Sequence, residues 1–169
     1  LFKIALSLGS DVPACLKSRD LILEGYGEKL TNTNIPKGYH FLLLNPNLNL
    51  STKSVFNQYK DYSKDEFQDS DLYFENIQIY NSLISSAIIL APAISVILSN
   101  LKNTPNIIAY GMTGSGSTCF GIFKKLNDIN IFKEKFNKIV DKPFFMWEGK
   151  KKNYRFNRVT NSKVLENNF

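Results

Sequence analysis

Two cysteines, Cys15 and Cys119, and one histidine, His40, are all the thiol and imidazole metal ligands that this 169-residue chain contains. A metal centre built on such ligands needs several at close spacing, and none of the three has a neighbour of that kind. The cysteines therefore read as small packing residues in a reducing compartment, the cytoplasm, rather than as a disulfide. Long apolar runs are also missing. The nearest approach, Leu83 to Leu98, falls short of the ~20 residues that cross a bilayer and has Pro92 in its middle. No membrane role is expected. Basic residues are in excess, with a formal net charge of +6 and a pI of about 9.2. They are dispersed, however, and without a clustered basic face no nucleic-acid partner is expected. The surplus suits phosphorylated or nucleotide ligands instead. No secretory signal is visible, but the sequence opens at Leu1 in mid-pattern and without methionine, so a lost leader or preceding domain remains an open expectation.

What is present points to one ordinary domain, or one domain with pieces of another, of mixed helix and strand. Leu1 to Leu8 has helical spacing and breaks at Gly9. Leu21-Ile22-Leu23 and the glycines Gly25 and Gly27 predict strand, turn and strand, with Glu28 a structural acid of the turn. Tyr39 to Leu44 is a continuous apolar run stopped by Asn45-Pro46, which suits a strand buried on both faces. Leu50 to Phe56 starts a helix capped by Ser51 or Thr52, with Val55 and Phe56 facing inward if the segment is purely structural. Asn57 to Tyr73 has no clean period and predicts a variable surface segment with a short helix. Ile77 to Leu101 predicts a pair of core helices, the second started by Pro92. Ile107 to Tyr110 returns as a strand. Phe123 to Val140 predicts an amphipathic helix whose apolar face carries Ile129, Phe132, Phe136, Ile139 and Val140. A further strand is expected over Pro143 to Glu148, and residues 151–169 read as a basic, disordered tail.

Two stretches carry chemistry. In Thr113-Gly114-Ser115-Gly116-Ser117-Thr118, two glycines alternate with hydroxyls ahead of the apolar run Cys119 to Phe123. Glycines let a ligand approach the backbone, and successive amides there form an anion-binding concavity; a plain turn before a strand would look the same. In Leu6 to Leu16, LSLGSDVPACL, Asp11 precedes the first-turn proline Pro13. That is either a helix cap or a carboxylate held at a helix start and aimed at a substrate hydroxyl.

Taken in order, the Asp11 turn, Glu24-Gly25-Tyr26-Gly27-Glu28-Lys29-Leu30, Leu42-Leu43-Leu44-Asn45-Pro46, Leu50-Ser51-Thr52-Lys53-Ser54-Val55-Phe56 and the glycine-serine loop resemble the GHMP kinases. Within them, the match is to the branch that phosphorylates the 2-hydroxyl of 4-diphosphocytidyl-2-C-methyl-D-erythritol in non-mevalonate isoprenoid synthesis. The resemblance runs from about residue 5 to about residue 150. It implies a two-layer α+β fold: residues 1–35 as the end of the N-terminal catalytic domain and 36–150 as the ferredoxin-like C-terminal domain. It implies Asp11 as the catalytic base, with Thr52 and Phe56 lining the cytidyl-erythritol pocket. Lys53 departs from relatives that have proline there. Gly114, Ser115, Gly116 and Ser117 would close over phosphates with backbone amides. Asn81 matches an asparagine at the start of a helix and is expected to cap it. ATP with Mg²⁺ is the implied cosubstrate, with no dedicated protein ligand for the metal.

One departure matters more than the rest. The family's P-x-x-x-G-L-G-G-G-S-S loop for ATP, and the lysine that pairs with its aspartate, do not occur in this sequence. The resemblance thus implies the C-terminal part of such a kinase, inactive alone and partnered by a missing N-terminal half; a truncated product, a split gene and a decayed reading frame all fit. The faces that half would cover should be apolar and exposed near Leu1 to Leu8. Other readings remain open: another GHMP small-molecule kinase, of homoserine or mevalonate type, or a non-catalytic α/β binding domain.

Overall fold

A computed structural model describes residues 1–59, 72–140 and 144–150. They fall into two compact units, 1–35 and 36–150. The expected surface segment lies largely outside the described residues, as does the tail.

In the first unit, helix α1 (Phe2–Leu8) ends at Gly9, and α2 (Val12–Lys17) follows with Pro13 buried in its first turn. Strands β1 (Leu21–Glu24) and β2 (Lys29–Asn32) form an antiparallel hairpin with Leu21 opposite Asn32 and Glu24 opposite Lys29. Glu28 holds the turn by accepting the Tyr26 amide, the structural role expected of it. Gly27 has φ +91°, and a β-carbon there would lie 2.0 Å from the Ser10 carbonyl oxygen, so only glycine lets the turn pack against the α1–α2 connection. Leu1, Ile4 and Leu8 are exposed and only Ala5 of α1 is buried, which gives the apolar surface expected near Leu1 to Leu8.

The second unit is a four-stranded antiparallel sheet in the order β6 (Ile107–Met112), β7 (Cys119–Phe123), β3 (His40–Asn45), β8 (Phe145–Lys150). Leu42 and Leu44 of β3 point into a core completed by α3 (Thr52–Gln58), α4 (Ile84–Leu90), α5 (Ala93–Lys102) and α6 (Leu126–Ile139). The expectation of a strand buried on both faces is corrected. Phe41 and Leu43 are only half-buried, because antiparallel strands can have helices on one face and a partly open second face.

Pro92 occupies the N-cap of α5, so the predicted helix pair is present and divided where expected, but its first helix starts at Ile84 rather than Ile77, because Ile77–Gln78 pair as a short strand. A short hairpin, β4 (Tyr73–Phe74) and β5 (Ile77–Gln78), precedes it. Tyr39 ties this hairpin to the sheet: its ring meets Phe74 edge-on, its hydroxyl donates to Glu75, and Lys124 lies 3.9 Å above it. Helix α6 starts later than predicted. Phe123 closes β7 as a fully buried strand residue, and Ile139 is exposed at the end of the helix while Ile129, Phe132 and Phe136 fill the core. The last strand is displaced two residues toward the C-terminus, to Phe145–Lys150. Among the described residues no helix is long and apolar enough to cross a membrane.

Candidate functional site

The loop from Thr113 to Thr118 joins two adjacent strands, and its own hydrogen bonds are few. Thr113 N donates to Thr118 O at 2.9 Å, closing its base, and Gly116 N donates to Thr113 O at 2.9 Å. Gly116 has φ +89°, and a β-carbon there would meet Met112 Sδ at 2.8 Å, so both conformation and space demand glycine. Gly114, at φ +51°, has open space where its β-carbon would be.

Side chains from elsewhere supply the rest. Asn45, last residue of β3, donates from Nδ2 to Thr118 Oγ1 at 2.8 Å, and its Oδ1 accepts the Asn47 amide at 2.7 Å. Ser117 is turned inward: its hydroxyl, 3% exposed with its residue, donates to the Leu48 carbonyl at 2.7 Å. Its hydroxyl therefore braces the loop rather than facing a ligand. From the turn before α4, Asn81 donates to the carbonyls of Met112 and Gly114 at 2.8 and 2.9 Å. Thr52 Oγ1 lies 2.9 Å from Ser115 Oγ.

That last contact joins two segments 63 residues apart in the chain, each singled out by its residues. Ser51, rather than Thr52, caps α3, its hydroxyl accepting the Ser54 amide at 3.4 Å. Thr52 is left exposed toward the loop. Phe56 lies one turn further along the same face, and its inward-facing alternative is corrected. Val55 is fully buried, whereas Phe56 is 58% exposed, since a short helix lying on the core can bury only one stripe.

Asp11 belongs to the first unit. It stands at the N-cap of α2 with an exposed carboxylate that makes no capping hydrogen bond, so the helix does not engage the acid group. Cys119 is buried as a packing residue, but the same expectation for Cys15 is corrected, since its side chain is exposed on the short helix α2; both thiols are free. Burial pushes the Cys119 thiol up from an ordinary value of 9.0 to about 12, which makes it an inert wall of the core rather than a nucleophile.

Sequence reasoning missed Asn45 and half of Asn81. The Asn-Pro pair after β3 reads as a strand stop, and Asn81 reads as a cap. The cap expectation is corrected: the N-cap of α4 is Leu83, with no side-chain cap, because Asn81 stands two residues earlier; its Oδ1 accepts the Leu83 amide at 3.0 Å in a turn before the helix, and its amide nitrogen faces the loop. An asparagine that carries more hydrogen-bonding groups than a cap requires is the one available signal.

Comparison with known proteins agrees with this architecture. Residues 66–142 match the family model for the GHMP kinases C terminal. The chain is 39% identical over 132 residues to a 4-diphosphocytidyl-2-C-methyl-D-erythritol kinase of Anaplasma marginale (strain Florida), a stretch that is 72% of this chain and 45% of that protein. It is 40% identical over 139 residues to the kinase of the same name from Ehrlichia canis (strain Jake), covering 73% and 47%. It thus spans about half the length of the curated relatives it matches. Among solved structures, a 4-(cytidine 5'-diphospho)-2C-methyl-D-erythritol kinase superposes with a TM-score of 0.66 at 24% identity, over 88% of this chain and 56% of the other. A homoserine kinase from Cytophaga hutchinsonii superposes with a TM-score of 0.61 at 12% identity, over 82% and 50%. The family match runs from before α4 to the end of α6 and so takes in the clamped loop. Sequence and fold agree there, and the chain belongs to the GHMP kinases through their C-terminal domain.

Proposed function

We propose that this chain supplies the C-terminal part of an ATP-dependent kinase that phosphorylates the 2-hydroxyl of 4-diphosphocytidyl-2-C-methyl-D-erythritol. The observation that carries the reading is the Thr52–Ser115 contact, because it sets an exposed hydroxyl and, one turn on, an exposed aromatic ring beside a glycine loop. The named relatives support the choice of substrate.

Each group then has a role that its surroundings permit. The Phe56 ring stacks on the cytosine, a contact worth about 1–3 kcal/mol, and the Thr52 hydroxyl hydrogen-bonds the substrate. The loop Gly114 to Ser117 closes over the phosphates: the Ser115 amide takes a phosphate oxygen, while the Gly116 amide and the Ser117 hydroxyl hold the loop's shape, so charge is stabilised without reorganisation at the moment of reaction. The Asp11 carboxylate accepts the proton of the 2-hydroxyl as that oxygen bonds to the γ-phosphorus of ATP; the bond to the β-phosphate oxygen breaks and ADP leaves. Residues 1–35 act as the end of the catalytic N-terminal domain and 36–150 as the C-terminal domain. The P-x-x-x-G-L-G-G-G-S-S segment is absent from this sequence, so ATP is cradled by an N-terminal half that acts as partner. Mg²⁺ arrives with ATP. The described residues contain no group of three or more His, Cys, Asp or Glu side chains able to hold it, and the roles of this chain are those of its own groups. The reaction belongs to the cytoplasm.

The test is transfer of label from γ-labelled ATP to 4-diphosphocytidyl-2-C-methyl-D-erythritol, with the N-terminal half supplied in the same chain or in trans. Labelled 2-phosphate is expected, with protection of the site by cytidine monophosphate and a loss of about 10²-fold or more in turnover for Asp11→Asn with folding intact. Transfer to homoserine or mevalonate in its place, or no transfer in any mixture, overturns the proposal.

A further inference from the structure

The two ends of the Asn81 side chain do different things. Its oxygen accepts the Leu83 amide two residues on, closing a turn just ahead of α4, which any of Ser, Thr, Asp or Asn would do. Its nitrogen donates to two carbonyls, those of Met112 and Gly114, which flank Thr113 where β6 leaves the sheet. The turn has no use for that second pair of bonds.

Their effect follows from peptide geometry. A trans peptide is planar, with its N–H pointing opposite to its carbonyl. Holding the Gly114 carbonyl against Asn81 therefore aims the Ser115 N–H away from α4. That amide makes no hydrogen bond among the described residues, whereas the amides of Thr113 and Gly116 are bonded within the loop. Gly114, free of contacts at its β-position, leaves the approach unobstructed. We propose that Asn81 is a positioning residue that aims the Ser115 amide at a phosphate group of the bound nucleotide or substrate. This deepens the function proposed above and rests on it.

The experiment uses the full-length protein and two variants. Asn81→Asp keeps the oxygen that accepts the Leu83 amide but turns an oxygen toward the two carbonyls, and Asn81→Ser keeps a turn-closing hydroxyl without added charge. In both, turnover with ATP and 4-diphosphocytidyl-2-C-methyl-D-erythritol should fall about 10²-fold, the scale of a misplaced contact. Affinity for cytidine, which has no phosphate, should stay within about twofold. Hydrogen exchange of the Thr113 and Gly116 amides, which are bonded within the loop, should quicken about tenfold as the loop loosens, while that of α5 is unchanged. Unchanged loop exchange, or faster exchange spread through α4 and α5, overturns the positioning role whatever the kinetics. Wild-type turnover in both variants does so too. A wild-type protein that transfers no phosphate sinks the function, and loop exchange then judges the clamp alone.

Discussion

Val55 and Phe56 are neighbours in α3 whose substitution should separate folding from binding. Val55 is 0% exposed and Phe56 58% exposed. Val55→Ala removes two buried methyl groups, at ~0.8 kcal/mol each plus a cavity contribution, for a loss of about 2 kcal/mol in unfolding free energy. Fully burying a phenylalanine is worth ~1.5–3 kcal/mol, and with less than half of that burial in place Phe56→Ala should cost about 1 kcal/mol. Binding should follow the opposite order. Loss of a stacking ring should weaken cytidine monophosphate by about 1–3 kcal/mol, or about 5- to 150-fold, while Val55→Ala leaves affinity within about twofold. Urea denaturation gives the first quantity and calorimetric titration with cytidine monophosphate the second, both in the full-length protein. A Phe56→Leu variant keeps the apolar stem and removes the ring, so it should retain stability and lose affinity. If Phe56→Ala destabilises as much as Val55→Ala and nucleotide affinity is unchanged, Phe56 is merely a packing residue and the cytidyl pocket is elsewhere.

Other consequences are as concrete. A double-mutant cycle on Thr52→Ala and Ser115→Ala should return a coupling of about 0.5–1.5 kcal/mol in denaturation, and a coupling near zero would mean that water replaces the contact without loss. Ser86 is fully buried in α4, and its hydroxyl has no partner among the described residues. Ser86→Ala should therefore stabilise the fold by up to about 1 kcal/mol, and a destabilisation would reveal a hidden partner. The Cys119 thiol stays neutral in the fold up to about pH 12 but ionises from 9.0 when unfolded. Its contribution is complete below pH 9 and declines by up to about 1.4 kcal/mol per unit as pH rises toward 12. Cys119→Ala should flatten the stability–pH curve by that amount, and parallel curves would refute the assignment.

The core elements were legible because their signals are local. A six-residue apolar run ending in Asn45-Pro46 is β3, and Pro92 divides one apolar stretch into α4 and α5. The loop and its strands were legible for the same reason. Phe56 was not, because helical spacing shows which residues share a stripe and not which stripe the core covers. With Val55 and Phe56 adjacent, at most one could face fully inward. The start of α6 was misplaced because Phe123 is as apolar as a helix residue and only its pairing with His40 across the sheet makes it a strand end. Long-range hydrogen bonds leave the faintest trace of all. Asn45 and Asn81 act on a loop 73 and more than 30 residues away, and an isolated asparagine carries no mark of its partner.

Those two asparagines bear on why a loop so rich in glycine has a definite shape at all. Glycine loses more backbone freedom on ordering than any other residue, and two backbone hydrogen bonds within the loop, with the Thr113 hydroxyl bonded to the Thr118 carbonyl, are a small offset to ordering six residues at roughly 1–2 kcal/mol each. Beyond the Ser117 hydroxyl bonded to Leu48, the restraint comes from β3 through Asn45, from α3 through Thr52 and from the turn before α4 through Asn81, three elements that are fixed by core residues such as Leu44, Val55 and Ile84. The loop is thus shaped by the core through polar side chains, and a ligand that binds its amides does not have to bear the cost of ordering them. A loop held only by its own turn would lose that advantage. Removing any one of the three clamps should therefore weaken phosphate-bearing ligands more than it weakens the fold, which is the pattern that distinguishes a built site from a turn that merely connects two strands.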